Sequence, residues 1–168
     1  LDKLITYRLT DAGKLIRVAE HSETPGAGPR HFVFHPNGRF GYLLNEMNAT
    51  VSALSYAPQS GKFESLQTLP TLPGEFKGRK SCAEVRIHPT GKFLYCSNRG
   101  HDSIAVYQIL DSGKMKRVEI IKTGGQEPRN FVLDPSWKFL LAENQKSDSI
   151  TVFRIHPTTG RLDRKSTR

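Results

Sequence analysis

Three segments of the sequence share one frame of residues and differ at a few polar positions, and those positions carry groups that could do chemistry. Each segment is anchored on a dipeptide that ends in proline, at 35–36, 88–89 and 134–135. An imidazole could accept a proton, a carboxylate could orient it, and guanidinium groups could hold an anion. The polar residues four positions before each dipeptide are His31, Glu84 and Asn130, and those eleven positions after it are Glu46, Arg99 and Gln145.

Neighbouring positions of the frame add further cations. Arg30 and Arg129 stand five residues before their dipeptides, and His101 stands thirteen residues after its own. In an antiparallel hairpin, the start of the first strand lies beside the end of the second. The polar residues before the dipeptide and those after it should therefore lie close together, at the same end of each hairpin. The alternative interpretation is a hydrated wall with ion pairs such as Glu84–Arg129.

The frame is an internal repeat. The segments 28–46, 81–99 and 127–145 align without gaps, and each is followed by a run that alternates apolar and polar residues and then by a glycine turn. The segment 4–15 matches 104–115, so it is interpreted as the end of an earlier copy. No window of eleven or more residues shows the 3.6-residue periodicity of an amphipathic helix.

Each copy has the pattern of four short strands. In the first copy they cover 30–35, 40–46, 50–56 and 63–69, with aromatic and β-branched residues between turn residues. A repeat of roughly 40–50 residues with four strands is the signature of a β-propeller blade. The predicted fold class is therefore all-β, with about three and a half blades of four antiparallel strands each.

We expect a single partial propeller domain, in a chain that is a piece of a longer protein. A half-ring that closes against another chain is the less favoured alternative, because open blade edges would otherwise invite aggregation. The irregular stretch 69–81 is interpreted as a loop between blades that lies over one face and could carry part of a site. Within the domain 1–168, the predicted parts are the end of one blade at 1–22 and three blades at 28–72, 81–122 and 127–168.

Several residues of the frame are expected to serve the blades alone. The identical asparagines should be turn residues at strand ends, since Asn tolerates left-handed backbone. Trp137 replaces the glycine of the first two turns, which predicts a different turn in the last copy. The histidines before proline are assigned structural roles. These asparagines and histidines are Asn45, Asn98, Asn144, His35, His88 and His156.

The composition of the chain indicates which kinds of partner it could bind. The 168 residues carry a net charge of +9 and a pI of about 9.8, which favours an anionic partner such as nucleic acid, an acidic surface or an acidic metabolite. Basic residues are scattered and no aromatic stacking platform is evident, so nucleic acid is not expected. No apolar run is long enough to span a membrane, and no metal-ligand spacing is present.

Two cysteines, Cys82 and Cys96, lie on the first two predicted strands of one blade. They could face each other across the hairpin and form a disulfide, but two buried thiols of a cytoplasmic protein are the favoured interpretation. The sequence thus predicts a cytoplasmic location, and it does not indicate an oligomeric state.

The repeated segments closely resemble the seven-bladed β-propeller lactonase family, which includes cycloisomerase-type 6-phosphogluconolactonases and carboxy-cis,cis-muconate cyclases. The resemblance covers about residues 4–162, and its most specific strings are "GPRH" at 28–31, "NRGHDSI" at 98–104 and "PRNF" at 128–131. It implies that roughly half of a seven-bladed ring is present.

The resemblance also implies an activity and a site. The expected activity is hydrolysis of 6-phospho-glucono-lactone without metal or organic cofactor. The alternatives are a carboxymuconate-type lactonising cyclase and a non-catalytic propeller that binds a partner. The resemblance implies that His31, Glu84, Arg99 and Arg129 are catalytic, and it adds His101 as a substrate-binding residue. The comparison of the repeats adds four more substrate-binding residues, which are Arg30, Glu46, Asn130 and Gln145.

Overall fold

The computed structural model describes residues 2–167, in which β-strands alternate with short turns. Because these residues form no helix, they contain none that could cross a membrane. The strands, numbered in chain order, are β1 Lys3–Leu9, β2 Leu15–Ser22, β3 Pro29–Phe34, β4 Phe40–Asn45, β5 Thr50–Ala57, β6 Lys62–Pro70, β7 Cys82–Ile87, β8 Phe93–Asn98, β9 Ser103–Ile109, β10 Met115–Lys122, β11 Pro128–Leu133, β12 Phe139–Asn144, β13 Ser149–Ile155 and β14 Leu162–Thr167.

The strands form one hairpin and three four-stranded sheets. β1 and β2 pair as the N-terminal hairpin, and β3–β6, β7–β10 and β11–β14 form the first, second and third blades. Within each blade the strand order follows the chain and neighbouring strands run antiparallel. The predicted all-β fold of four-stranded blades is confirmed, and the strands of the first blade end within one residue of the predicted positions.

The blades pack through their faces and bring their first strands together. β3 lies beside β7, and β7 lies beside β11. One apolar cluster, which includes Tyr42 and Tyr107, fills the space between the first and second blades. A second cluster, which includes Phe131 and Phe153, lies between the second and third blades. Each repeat therefore completes its core only with a neighbour, as expected for stacked blades.

Two of the histidines before proline join adjacent blades. His35 Nε2 lies 3.1 Å from the carbonyl oxygen of Gly91, and His88 Nε2 lies 3.1 Å from that of Trp137. His156 stays within its own turn, where its Nδ1 accepts the backbone N–H of Thr158. These contacts support the structural roles predicted for the three side chains.

The prediction of a different turn at Trp137 is wrong. Trp137 has φ 61°, close to the values of 68° at Gly38 and 74° at Gly91. Its N–H donates to the carbonyl of Asp134 at 2.9 Å, as the two glycines do to the equivalent residue of their turns. The Asp134 carboxylate also accepts the N–H groups of Ser136, Lys138 and Phe139, so side-chain bonds hold a backbone conformation that disfavours Trp.

The repeated asparagines end strands but do not adopt left-handed backbone. Asn98, for example, closes β8 and donates from Nδ2 to Ser103 Oγ at 3.2 Å and to the carbonyl of Thr71 at 2.9 Å. The predicted position of these asparagines at strand ends is therefore correct. The left-handed backbone conformation occurs four residues after each of them instead. At that point of the three blades, the residues with left-handed backbone are Ala49, Asp102 and Asp148.

Both cysteines are free thiols in the blade core. Cys82 and Cys96 are fully buried and do not form a disulfide. The register of β7 and β8 explains this, because Cys82 lies opposite Asn98 whereas Cys96 lies opposite Val85. Burial raises the pKa of the Cys82 thiol to about 11.

Candidate active site

The first strands of the three blades place the predicted arc of polar residues side by side. His31, Glu84 and Asn130 occupy equivalent positions of β3, β7 and β11. His31 Nδ1 lies 3.1 Å from Glu84 Oε2, with the imidazole 40% exposed and the carboxylate 13% exposed. The ring nitrogen is within ion-pair distance of the carboxylate, but the contact does not have the geometry of a hydrogen bond.

Glu46 holds two arginines from different blades. Its carboxylate accepts a hydrogen bond from Arg30 Nη1 at 3.0 Å and another from Arg99 Nη2. Arg30 also donates from Nε to the carbonyl of Ala83 at 3.0 Å, so two acceptors fix its guanidinium. Burial alone would raise the pKa of Glu46, but Arg99 and Arg30 outweigh it and hold that pKa below the ordinary range.

Arg99 lies deeper than the other predicted cations. Its side chain is 8% exposed, and Nη2 also donates to the carbonyl of Cys82 at 3.3 Å. Its Nε has no hydrogen-bond partner among the described residues. Arg99 is thus a buried partner of Glu46 and does not line the open cavity described below.

Arg129 is exposed at the same end of the third blade. Its Nη1 approaches Gln145 Oε1 at 3.4 Å, which leaves most of the guanidinium free of described partners. It does not pair with Glu84, whose cationic neighbours are His31 and Arg86, the latter at 3.6 Å. The alternative interpretation of a Glu84–Arg129 ion pair therefore does not describe this wall.

An open cavity of about 870 Å³ lies against these residues and is named the channel cavity. Six of the nine predicted site residues line it, while Glu46, Arg99 and His101 do not. It carries two arginines and a histidine together with three carboxylates, so it can hold both anionic and hydroxyl-bearing groups. Its lining residues are Arg30, His31, Glu84, Arg129, Asn130, Glu143, Asn144, Gln145, Asp148, Ser149 and Ile150.

His101 belongs to the rim of the second blade. Its ring packs edge-on against Phe76 with centroids 4.9 Å apart, and its Nδ1 lies 2.9 Å from Ser103 Oγ. Burial and the nearby Lys122 lower the pKa of His101. Phe76 belongs to the predicted interblade loop, which also reaches the third blade through Arg79. The loop thus contacts His101, which does not line the channel cavity described above.

The sequence reasoning missed Glu143 and the residues at the start of β13. Glu143 immediately precedes the repeated asparagine, where the first two blades have Leu44 and Ser97. The comparison of equivalent positions that selected His31 would also have selected Glu143, because its polarity differs from one copy to the next. The position falls inside the second predicted strand, where a side chain is expected to serve the blade.

The residues beside the cavity can supply proton transfer and anion binding. Among residues 2–167, no three His, Cys, Asp or Glu side chains come together as a metal-binding group. The imidazole of His31 can accept a proton from water, and Arg30 and Arg129 can bind carboxylate or phosphate oxygens. An ester carbonyl attacked by water needs these two functions.

The stacked four-stranded blades, with polar residues of their first strands gathered beside one cavity, are those of a β-propeller. Residues 1–168 match the family described as "Lactonase, 7-bladed beta-propeller", and the chain belongs to that family. The family expected from the repeated segments is therefore confirmed.

Individual proteins of known sequence or structure show the same likeness. The chain is 40% identical over 163 residues to the 6-phosphogluconolactonase of Bacillus subtilis. This alignment covers 96% of this chain and 46% of that protein. A crystal structure from Lactobacillus plantarum superposes with a TM-score of 0.96 at 34% identity, over 99% of this chain and 49% of the other. The periplasmic gluconolactonase of Pseudomonas aeruginosa gives a TM-score of 0.91 at 31% identity, over 99% and 48%. The chain thus spans about half the length of the relatives that it matches.

Proposed function

We propose that the protein is a lactone hydrolase that acts on 6-phospho-D-glucono-1,5-lactone. The observation that carries the proposal is the approach of His31 to Glu84 across two blades, in a cavity that also exposes Arg30 and Arg129. The names of the Bacillus and Pseudomonas relatives, a 6-phosphogluconolactonase and a gluconolactonase, support the same reaction class.

In the proposed mechanism His31 is the general base. It takes a proton from a water molecule that attacks the lactone carbonyl, and the ring opens to the free acid when the proton returns to the leaving ring oxygen. Glu84 orients the imidazole and stabilises its protonated form, as a carboxylate does in other nucleophile–base pairs. The described residues thus supply proton transfer without a covalent intermediate.

The cations divide into two roles. Arg129 and Arg30 line the channel cavity and would bind the phosphate or the oxyanion that develops on the carbonyl. Arg99 was expected to share this role, but it is buried against Glu46. We therefore assign it as a positioning residue, which holds Glu46 and through it the guanidinium of Arg30.

The test is a lactonase assay on freshly generated 6-phosphogluconolactone, with the polypeptide at its full natural length and with correction for spontaneous hydrolysis. Replacing His31 with Ala should lower kcat by about 10²- to 10⁴-fold. His156→Ala is the matched control, because the hydrogen bonds of that side chain to residues 2–167 stay within its own turn. Turnover that is unchanged in His31→Ala would remove His31 from the mechanism, and turnover of carboxymuconate instead of the lactone would favour the cyclase activity.

We also propose a cytoplasmic location. Two unpaired, fully buried thiols support it, because disulfides form readily in oxidising compartments and are rare in the cytoplasm. Fractionation of the source cells checks this directly, and recovery of the protein outside the cytoplasm would contradict it.

A further inference from the structure

We propose that Arg86 is a positioning residue, which holds the carboxylate of Glu84 towards His31 through a hydrogen bond to the third blade. This inference rests on the proposed lactonase function and extends its machinery by one residue. Arg86 is not among the site residues predicted from the sequence, and it does not line the channel cavity. It would therefore act only through Glu84, without contact to the substrate.

Arg86 links the second blade to the third. It lies on β7 two residues after Glu84, so both side chains are on the same face of the strand. Its Nε donates to the carbonyl oxygen of Phe131 on β11 at 3.0 Å. The same nitrogen lies 3.6 Å from Glu84 Oε1, within ion-pair distance. Because the main chain of the third blade fixes this planar guanidinium, its charge stays beside the carboxylate.

The two oxygens of the Glu84 carboxylate face different partners. Oε2 lies 3.1 Å from His31 Nδ1, whereas Oε1 lies on the side of Arg86. The last torsion of a glutamate side chain has broad minima, so a single partner leaves the carboxylate free to turn. A second partner on the other oxygen restricts this rotation. Arg86 should thus keep Oε2 directed at the imidazole of the proposed base.

The main chain of Glu84 is held separately, by Ser97. The fully buried Ser97 Oγ accepts the N–H of Glu84 at 3.0 Å. In the first blade the equivalent residue, His31, pairs with Leu44 of the neighbouring strand, whereas among the described residues Glu84 has no paired residue on β8. The serine hydroxyl takes the place of that pairing. The backbone of Glu84 is therefore already fixed, and the direction of its carboxylate is what Arg86 can control.

The other copies of the repeat show that a blade does not need an arginine at this position. The residues equivalent to Arg86 are Val33 in the first copy and Val132 in the third. Neither of these copies has a carboxylate at the position of Glu84. The arginine and the carboxylate thus occur together in the second copy, which favours a joint role.

A contact that only packs the blades is the competing explanation for Arg86. Arg117, on the fourth strand of the same blade, makes a similar link to main chain outside its blade. Its Nη1 donates to the carbonyl oxygen of Leu72 at 3.2 Å, and it does not line the channel cavity. Arg117→Met is therefore the matched control, because it removes the same kind of bond without touching Glu84.

The experiment measures steady-state kinetics on 6-phosphogluconolactone, using the polypeptide at its full natural length. Arg86→Met keeps the length of the side chain and removes its charge, so we expect kcat to fall about tenfold with little change in KM. Arg86→Lys keeps a cationic donor and should retain more of the kcat than Arg86→Met. Arg117→Met should leave kcat unchanged, and thermal unfolding of the three variants checks that they fold.

A double-mutant cycle then separates positioning from packing. Arg86→Met is repeated in a Glu84→Ala background, which removes the group that Arg86 is proposed to hold. If Arg86 acts through Glu84, the substitution should change kcat less than about twofold there. The same loss in both backgrounds would overturn the positioning role and show one in blade packing. A raised KM at unchanged kcat, or no loss in the parent background, would also overturn it.

The outcomes distinguish this inference from the proposed function. A parent protein without lactonase activity would overturn the proposed function, and the role of Arg86 with it. An active parent in which the Arg86→Met loss persists without Glu84 would overturn this inference alone. A loss of kcat that depends on the presence of Glu84 would support both.

Discussion

His31 of the first blade lies 3.1 Å from Glu84 of the second, so the proposed base and its orienting carboxylate meet across a blade boundary. Neither blade could form this pair alone. The distance depends on the packing of β3 against β7, and therefore on the apolar cluster between those two blades. The proposed proton transfer therefore depends on the packing of the two blades.

Replacing Glu84 with Gln should lower kcat by about 10- to 100-fold, less than loss of the base itself. The amide keeps the shape of the side chain but cannot stabilise the imidazolium ion. Steady-state kinetics on 6-phosphogluconolactone measure the effect, and Glu64→Gln, on the exposed side of β6, is the control. A rise in KM with unchanged kcat would indicate that Glu84 only binds substrate.

Replacing Glu46 with Gln should destabilise the protein by about 3 kcal/mol, because it leaves the buried guanidinium of Arg99 without a counter-charge. Denaturant unfolding measures the change. Glu20→Gln is the matched control, since that carboxylate joins Lys3 and Arg17 in exposed ion pairs of the N-terminal hairpin, and its replacement should change stability far less.

The same pair predicts a pH dependence of stability. Because the pKa of Glu46 is lowered in the folded state, its contribution is present above the unfolded pKa of about 4.3 and is lost as the pH falls through the folded value. Stability of the parent should therefore decrease more steeply below about pH 4.3 than that of Glu46→Gln. If the free energy of unfolding depended on pH equally in the two proteins, the arginines would not lower the pKa of Glu46.

The blades could be predicted from the sequence because each copy repeats the same turn and strand residues. The arc of His31, Glu84 and Asn130 followed from the same repeat, since equivalent positions of stacked blades are neighbours. The burial of Arg99 could not be predicted, because its partner Glu46 belongs to another blade and nothing in the local sequence indicates their contact. The turn at Trp137 could not be predicted either. The side chain of Asp134 stabilises it through hydrogen bonds to backbone N–H groups, which the pattern of residues does not show.

Two turn glycines should differ in their tolerance of a side chain although both have left-handed backbone. Gly38 and Gly91 have φ values of 68° and 74°, so alanine at either position carries a similar backbone cost of about 1 kcal/mol. A Cβ at Gly38 meets no atom within 4 Å, whereas one at Gly91 would lie 2.6 Å from His35 Nε2. Gly91→Ala should therefore cost at least about 1 kcal/mol more than Gly38→Ala, measured by chemical unfolding. Equal losses would show that His35 moves aside freely and that its contact with the second blade contributes little.

Removal of Arg129 should affect substrate binding, whereas removal of Arg99 should affect stability. Arg129 is exposed and lines the channel cavity, so Arg129→Ala should leave stability within about 0.5 kcal/mol of the parent and raise the KM for 6-phosphogluconolactone about tenfold or more. Arg99 is buried, so Arg99→Ala should lower stability by about 3 kcal/mol, because it leaves Glu46 with one cation fewer in a half-buried position. Unfolding curves and kinetics on the same two variants separate binding from positioning. If Arg99→Ala raised KM at unchanged stability, Arg99 would contact the substrate directly, and its assignment as a positioning residue would be wrong.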